Sequence, residues 1–387
     1  MQAPAWFRDL RVLVVHDWVV AWAGAERVLE QILTVFPSAD LVVGLLGNGL
    51  RSLNDTTACA KETWLSRLPF ARARHRWFVA LEGIAFASLP TDAYDLVISS
   101  SHAFSKAVRR PPNGLHVCYC HSPPRYLWDL YSQHMAAASA PQQVALRLGA
   151  LPLRHFDRWA ARHVDHFVAN SRFVAERISR TYGRNATVVY PPVACRPPSQ
   201  PAPNRGEFLL SLGRLVPYKR VDLAIAAAAR IGRELIVAGD GPDRARLERM
   251  ARNTTTTFVG AVSEAEASRL FEACAAFLFC AEEDFGIAPV EANAHGAPVV
   301  GFSRGGLAET MVPGETAEFF HLQTVDGVVL ALEKALSRAW DPAVARANAA
   351  RFAPERFRSE LARTIEEAFE ARRPAPSPSA TWIRDPP

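Results

Sequence analysis

The 387 residues contain no run of about 18 apolar positions, so no transmembrane helix is expected. The N-terminus, MQAPAWFRDLRVLVVHDW, lacks the basic stretch that opens a secretory signal, and its apolar run is interrupted at Asp17. Secretion is therefore not expected, and the reading is cytoplasmic. Cysteine is sparse. The six, at 59, 118, 120, 195, 274 and 280, lie mostly in strand-like apolar runs, which suits free thiols in a reducing compartment better than a disulfide framework. No Asp-x-Asp pair occurs, so no required metal is expected. The nearest approach to a metal cluster is His116, Cys118, Cys120 and His121; strand alternation puts the first three on one face and His121 on the other, and buried strand residues are the expectation. No internal repeat of about 20 to 50 residues is visible.

What is present fits a globular chain, with 49% apolar and 21% charged residues. The length implies two domains of roughly 150 to 200 residues. Charge divides unevenly between them. Residues 1–195 hold 21 basic against 14 acidic residues, and the rest hold 23 against 25. Arg67, Arg72, Arg74 and Arg76 lie between Glu62 and Glu82 with no acid among them, interleaved with Trp64, Leu65, Leu68, Phe70, Trp77 and Phe78. Such a stretch can approach anionic lipid headgroups, and it is equally readable as a solvated basic helix face. No nucleic-acid-binding module accompanies it, so nucleic acid is not an expected partner.

Short β-rich runs alternate with helical patterns throughout, as in parallel sheets covered by helices. Strands are expected at 12–15, 41–44, 96–99, 116–120, 166–169 and 187–190, with crossover helices at 24–36 and 171–182. The second of these has Ser171 as N-cap and Gly183 just past its end. The run PPVACRPPSQPAPNRG then forbids regular structure and marks a boundary. The rhythm restarts with strands at 208–212, 234–238, 256–259, 276–280 and 298–302, and helices at 221–230, 243–251, 264–273 and 289–294. The organisation is a doubly wound α/β domain over 1–195, a linker over 196–206, a second such domain over 207–353, a closing helix over 354–372 and a tail over 373–387 expected to be disordered.

The most informative stretch is FLFCAEEDFGIAPVEANAHGAPVV, residues 277–300. A buried strand, an acidic loop with Gly286 and a helix opening at Pro289 would aim the amides of Phe285, Gly286 and Ile287 at an anion above the strand ends. Glu283 and Glu291 bracket the turn and can accept hydrogen bonds from sugar hydroxyls, one from a hexose and one from a ribose diol. Alone, they are also readable as a solvated acidic loop and a dipole-complementing helix residue. The first strand of the same half runs into SLGRLVPYKRVD, where Arg214 and Lys219 leave a strand end and suit a diphosphate whose charge grows as it departs. Gly239 and Gly241 form a tight turn, either near a nucleotide or as an ordinary strand-to-helix connection; the dinucleotide fingerprint is incomplete because Arg244 takes its third glycine position.

Gly-Arg-x4-Lys, Gly-Asp-Gly-Pro, Phe-Val-Gly, Glu-x7-Glu and Arg-Gly-Gly-Leu-x-Glu-Thr, in this order, resemble the family-four retaining glycosyltransferases of the GT-B fold. In the first half AGAERVLEQI, CYCHSPPRYLWD and FVANSRFVAERI are similar to that family's glycine loop and middle motifs. HDW, CHSPPRYLWD and AEEDFGIAPVEA together look most like bacterial O-antigen and exopolysaccharide mannosyltransferases. The resemblance implies that Glu283 contacts the donor hexose, Glu291 the nucleotide ribose, Arg214 and Lys219 the diphosphate with help from backbone at Gly286 and Ile287, and His121 the donor sugar across the cleft. Gly24 would let backbone approach the diphosphate, and Gly239 would lie near the nucleotide. Two positions depart from the family pattern. Its paired glycines read Ala23-Gly24, with strain expected if Ala23 needs a positive φ, and Ala317 replaces a glycine.

The implied reaction moves a hexose, mannose from GDP-mannose by resemblance, to a glycan or polyprenyl-linked acceptor held by the basic first half. No cofactor and no metal is expected, and contact with the inner face of a membrane is compatible with the basic stretch. A non-catalytic sugar-nucleotide-binding protein and a nicotinamide-dependent oxidoreductase are the alternative readings.

Overall fold

A computed structural model describes residues 4–19, 23–47, 60–72, 78–194 and 205–372. The first half is a sheet of β1 (Val12–Val19), β2 (Asp40–Leu46), β3 (Lys61–Glu62), β4 (Leu96–Ser101), β5 (Leu115–Cys120), β6 (His166–Ala169) and β7 (Ala186–Val188). They lie in the order β3-β2-β1-β4-β5-β6-β7, every pairing parallel. Its helices are α1 (Gly24–Val35), α2 (Val79–Ala87), α3 (Tyr131–Ala137), α4 (Ala140–Ala161) and α5 (Arg172–Tyr182). The second half holds β8 (Leu209–Leu212), β9 (Leu235–Ala238), β10 (Thr256–Gly260), β11 (Ala276–Phe279), β12 (Val299–Phe302) and β13 (Ala317–Phe320), in the parallel order β10-β9-β8-β11-β12-β13. It carries α6 (Val221–Arg230), α7 (Arg244–Met250), α8 (Glu264–Ala273), α9 (Ile287–Ala294), α10 (Leu307–Thr310), α11 (Val325–Leu336) and α12 (Pro342–Ala350).

The inner strands of both sheets are buried on two faces, which is why they read as near-continuous apolar runs, whereas the edge strands β3, β7 and β10 are half-exposed. In each, strand order reverses at one point, between β1 and β4 and between β8 and β11. A crevice opens there at the strands' carboxyl ends, and ligands of doubly wound folds bind in such crevices. The last helix, α13 (Pro354–Arg372), crosses back. Its Phe357, Leu361 and Ile365 join the core of the first half, and the Phe357 ring lies 5.6 Å from that of Tyr119.

Local expectations hold where a cap is written in the sequence. Ser171 accepts the Val174 amide at 3.0 Å, and Gly183 ends α5 in the left-handed region at φ 65°. Ala23 sits at φ −140°, ψ −161°, ordinary extended backbone, so the strain expected there is absent. Ala317 opens β13, paired with Val299. One start differs: α9 begins at Ile287, two residues before Pro289, because Gly286 at φ 86° turns the chain into the helix. Proline is tolerated anywhere in a first turn, where amides have no intrahelical partner. Glu291 is consequently the fifth helical residue, not part of the first turn. The seventh strand spans 186–188, not 187–190, and β3, α2, α3, α4, α10, β13, α11 and α12 had no counterpart in the sequence reading. Most of the linker and the whole tail, together with Arg74, Arg76, Trp77, Cys59 and Cys195, lie outside the described residues. The four described cysteines are buried free thiols, and no helix among the described residues is long and apolar enough to cross a membrane.

Candidate active site

The crevice of the second sheet collects the expected cation and acid. β8 ends at Leu212 and the chain turns at Gly213, whose φ is 149°. A Cβ there would stand 2.9 Å from Lys219 Nζ. Lys219 pairs with Glu283 Oε1 at 3.0 Å, both side chains about four-fifths covered. Burial is the largest influence on the Lys219 ammonium and works against it, as does the nearby Arg214, but the Glu283 carboxylate and Tyr218 together hold the amine above its ordinary value. Arg214 itself is exposed beside this pair. A diphosphate arriving there meets two cations, one of them already oriented.

Glycine supplies the close packing around this pair. The Gly239 turn packs closely against the Gly213 turn. At φ 123° it leaves a Cβ position only 2.0 Å from the Gly213 carbonyl, and that of Gly241 falls 2.2 Å from the Leu215 carbonyl. Both glycines allow backbone-to-backbone contact between neighbouring turns, which either reading of the Gly-x-Gly turn accommodates. Gly305 and Gly306 do the same under the acidic loop: their Cβ positions fall 2.3 Å from the Glu283 carbonyl and 2.3 Å from Phe285 Cα, and the Gly306 amide donates to the Glu283 carbonyl at 2.8 Å. The Arg-Gly-Gly stretch thus fixes the loop that carries Glu283, a role its motif alone did not disclose.

Glu291 has a partner that local sequence could not reveal. Arg27, on α1 of the first half, donates to Glu291 Oε1 at 2.6 Å and to Glu264 Oε1 at 3.0 Å, bridging the two halves. These three line a cavity of about 600 Å³ with Leu212, Val262 and Ser263. Gly24 opens α1 at the same interface, and a Cβ on it would come within 2.4 Å of Ile287 Cδ1. Gly24 and Ile287 are therefore brought together directly. Glu291 shares its cavity with Leu212, the residue before the Gly213 turn, while Lys219 and Glu283 stand outside the cavity lining.

At the crevice of the first sheet, His121 follows β5. Its Nε2 lies 2.9 Å from Ser100 Oγ, which lies 3.0 Å from His16 Nδ1. Burial first, then the His102 and His16 rings, push the His121 imidazole well below its ordinary value despite Asp17. A neutral ring at that place can donate or accept a hydrogen bond with a sugar hydroxyl but adds no charge. Asp17, wholly buried, accepts four backbone amides from His102 to Ser105 at 2.6 to 2.9 Å, which fixes the loop after β4. His116 is satisfied by Ser99 and the His163 carbonyl, and no group able to hold a metal occurs among the described residues.

Further polar contacts join the halves. Arg177 on α5 reaches Asp284 and Asp129, and Arg125, four residues after His121, stacks 5.5 Å over the Tyr218 ring. Glu309 on α10 accepts the first two amides of α5, Arg172 and Phe173, each at 2.8 Å. The motifs had marked these segments, but not that they meet.

Residues 22–196 match the family model described as Glycosyltransferase Family 4, and residues 196–352 match Glycosyl transferases group 1. A glycogen synthase of Mycobacterium tuberculosis is 34% identical over 220 residues, 50% of this chain and 51% of that protein. A GDP-mannose-dependent alpha-(1-6)-phosphatidylinositol dimannoside mannosyltransferase of the same species is 32% identical over 183 residues, 45% of this chain and 43% of its own. The chain thus spans about half the length of the curated relatives it matches. Among solved structures, Anabaena HepE in complex with UDP superposes with a TM-score of 0.65 at 18% identity, over 92% of this chain and 100% of that one. The lipopolysaccharide outer core galactosyltransferase WaaB superposes at 0.63 and 16%, over 92% and 99%. At such identities the likeness is one of fold.

Proposed function

Because the chain belongs to the glycosyltransferases, its two halves matching their family 4 and group 1 models, we propose that it transfers a hexose from a nucleoside diphosphate sugar to an acceptor hydroxyl, with retention at the anomeric carbon. The observation that carries this reading is the Lys219–Glu283 pair beside Arg214 at the strand reversal of the second sheet. Lys219 and Arg214 stabilise the departing diphosphate, with the amides at Gly286 and Ile287 adding dipoles of the same sign. Glu283 accepts hydrogen bonds from hexose hydroxyls while holding the ammonium in place. Glu291 takes the ribose diol once Arg27 is displaced. His121, neutral and on the opposite wall, hydrogen-bonds the transferred sugar.

Mannose from GDP-mannose is the proposed donor, supported by relatives whose names specify GDP-mannose. The acceptor is a glycan or lipid-linked glycan of a cell-surface polysaccharide, held by the basic first half at the cytoplasmic membrane face. Two measurements test the reading. Thermal shift with GDP, UDP and ADP should single out GDP, and Glu283→Gln should lower turnover with a competent donor and acceptor by on the order of 10²–10³. Wild-type turnover in Glu283→Gln would remove its role.

A further inference from the structure

The longest helix of the first half turns an apolar side outward. On α4, Val144, Leu148 and Leu151 follow one another at i, i+4 and i+7 and are 55%, 75% and 62% exposed. His155 and Arg158 continue the same face, and Arg147 flanks it, all exposed. Loose packing does not account for this. The inner side of α4 is tied down by Asp157, wholly buried, which pairs with Lys106 at 2.6 Å and accepts Trp128 Nε1 and the Tyr182 hydroxyl at 2.8 Å each. A helix so anchored, with three aliphatic side chains aligned outward, presents a surface that water disfavours.

Its surroundings are cationic. No acidic residue occurs between Asp129 and Asp157, nor between Glu62 and Glu82. Residues 63–72 of the second stretch pack beside α2, whose Leu81 and Ile84 are also exposed and whose Gly83 touches the Phe156 ring of α4. In it Phe70 is held at φ 62° with its ring 73% exposed, a conformation and an exposure both unusual for a bulky side chain. Arg72 of that stretch is paired with Glu62, whereas Arg147 and Arg158 beside the α4 stripe face no acid in their own stretch; an apolar stripe edged by such arginines matches the chemistry of an anionic lipid interface, where aliphatic groups enter the acyl boundary and guanidinium groups meet phosphate.

We propose that the outward face of α4, centred on Val144, Leu148 and Leu151 and edged by Arg147 and Arg158, docks the protein on an anionic lipid surface. The helix is joined to the cleft. Arg154 donates to the Leu127 carbonyl at 2.7 Å and stacks on Trp128 and Tyr131, in the segment that follows His121. Docking through α4 therefore sets the cleft at a fixed height above the headgroups. The inference deepens the proposed function and takes from it only the lipid-linked acceptor.

The test is flotation of the full chain with phosphatidylcholine vesicles, with and without phosphatidylglycerol, at low and high salt. Wild type should float with the anionic vesicles and release in salt. A leucine's burial is worth about one to two orders of magnitude in partitioning, so Leu148→Glu with Leu151→Glu should lower it about 100-fold or more. Arg147→Glu with Arg158→Glu should also lower it, whereas Leu330→Glu, at an exposed leucine of the second half, should not. Thermal shift with GDP should be the same in all variants, so a failure of the donor reading appears there and a failure of docking appears in flotation. Absence of wild-type flotation would overturn the proposal, as would flotation unchanged in the leucine variant. A dimer that the leucine substitutions dissolve, without any vesicle binding, would assign the face to a protein contact instead.

Discussion

Arg27 holds the carboxylate proposed for the ribose, so removing its guanidinium should tighten nucleoside binding. In Arg27→Met the long apolar stem remains on α1 while Glu291 loses its 2.6 Å partner. Arg27 and Glu291 are 24% and 21% exposed, which discounts the pair for solvent screening to about 1 kcal/mol. A ribose diol that must displace Arg27 bears that cost, and its removal corresponds to roughly fivefold in affinity. The substitution should leave the halves assembled, since Arg177 with Asp284 and Glu309 with α5 join them independently. Calorimetric titration with guanosine and uridine reads the effect free of any charge attraction to phosphate; the diphosphates read that attraction separately. The 2′-deoxy nucleosides supply the control. Without the diol they gain less from the freed Glu291, so the preference for ribose should widen in Arg27→Met. Unchanged or weaker ribonucleoside binding would refute the competition and detach Glu291 from the ribose.

Three further outcomes follow from contacts elsewhere. Gly24→Ala places a methyl 2.4 Å from Ile287 Cδ1 and should raise the donor KM; Ile287→Ala in the same chain should recover part of the loss, and an unrecovered double variant would point to backbone strain instead. Glu82 is wholly buried with both carboxylate oxygens unpartnered, and burial with Asp17 nearby raises its pKa well above the ordinary value. The folded state keeps a proton that the unfolded state loses above its ordinary value near 4.5, so Glu82 subtracts stability as pH rises. Glu82→Gln should therefore raise Tm at pH 8 relative to wild type, by an amount that shrinks toward pH 5; an equal shift at both would contradict the protonation argument. His16 and His116, each lowered by burial to about 4, act in the opposite sense. Their contribution is intact above 6.5 and is lost as pH falls from there toward 4, because the unfolded chain takes up protons first. The slope of Tm over that window should be shallower in His116→Asn.

Parallel strands covered on both faces leave a plain trace in sequence, and β1, β4, β5, β8 and β11 were readable as apolar runs because apolar side chains dominate both faces, with His16, Asp17, the β4 serines, His116 and Ser211 as buried polar exceptions. α5 was bounded correctly because Ser171 and Gly183 each perform a local, nameable task. α4 left no such trace. Its outward Leu148 and Leu151 and its inward Phe156 spread apolar residues round the wheel, so the periodicity that marks a half-buried helix is blurred. Lys219 with Glu283 could be anticipated from strand-end logic, although 64 residues separate them in the chain. Arg27 with Glu291, Arg177 with Asp284 and Glu309 with the α5 amides are 264, 107 and 137 residues apart. No spacing rule reaches that far, and only the assembled sheets make those partners neighbours.

The acidic loop after β11 shows why the assembly matters to the chemistry. Glu283 turns to Lys219 within its own half, while its neighbour Asp284 turns to Arg177, with Arg125 at 3.8 Å, on the other. The Gly305–Gly306 backbone packs closely against Glu283, Asp284 and Phe285 of this loop. One loop thus carries consecutive side chains to the two halves, so its placement depends on both. On the proposed function, which sets His121 and the acceptor on the first half, a loop shared in this way favours a donor site completed at closure, when water is already excluded from the sugar.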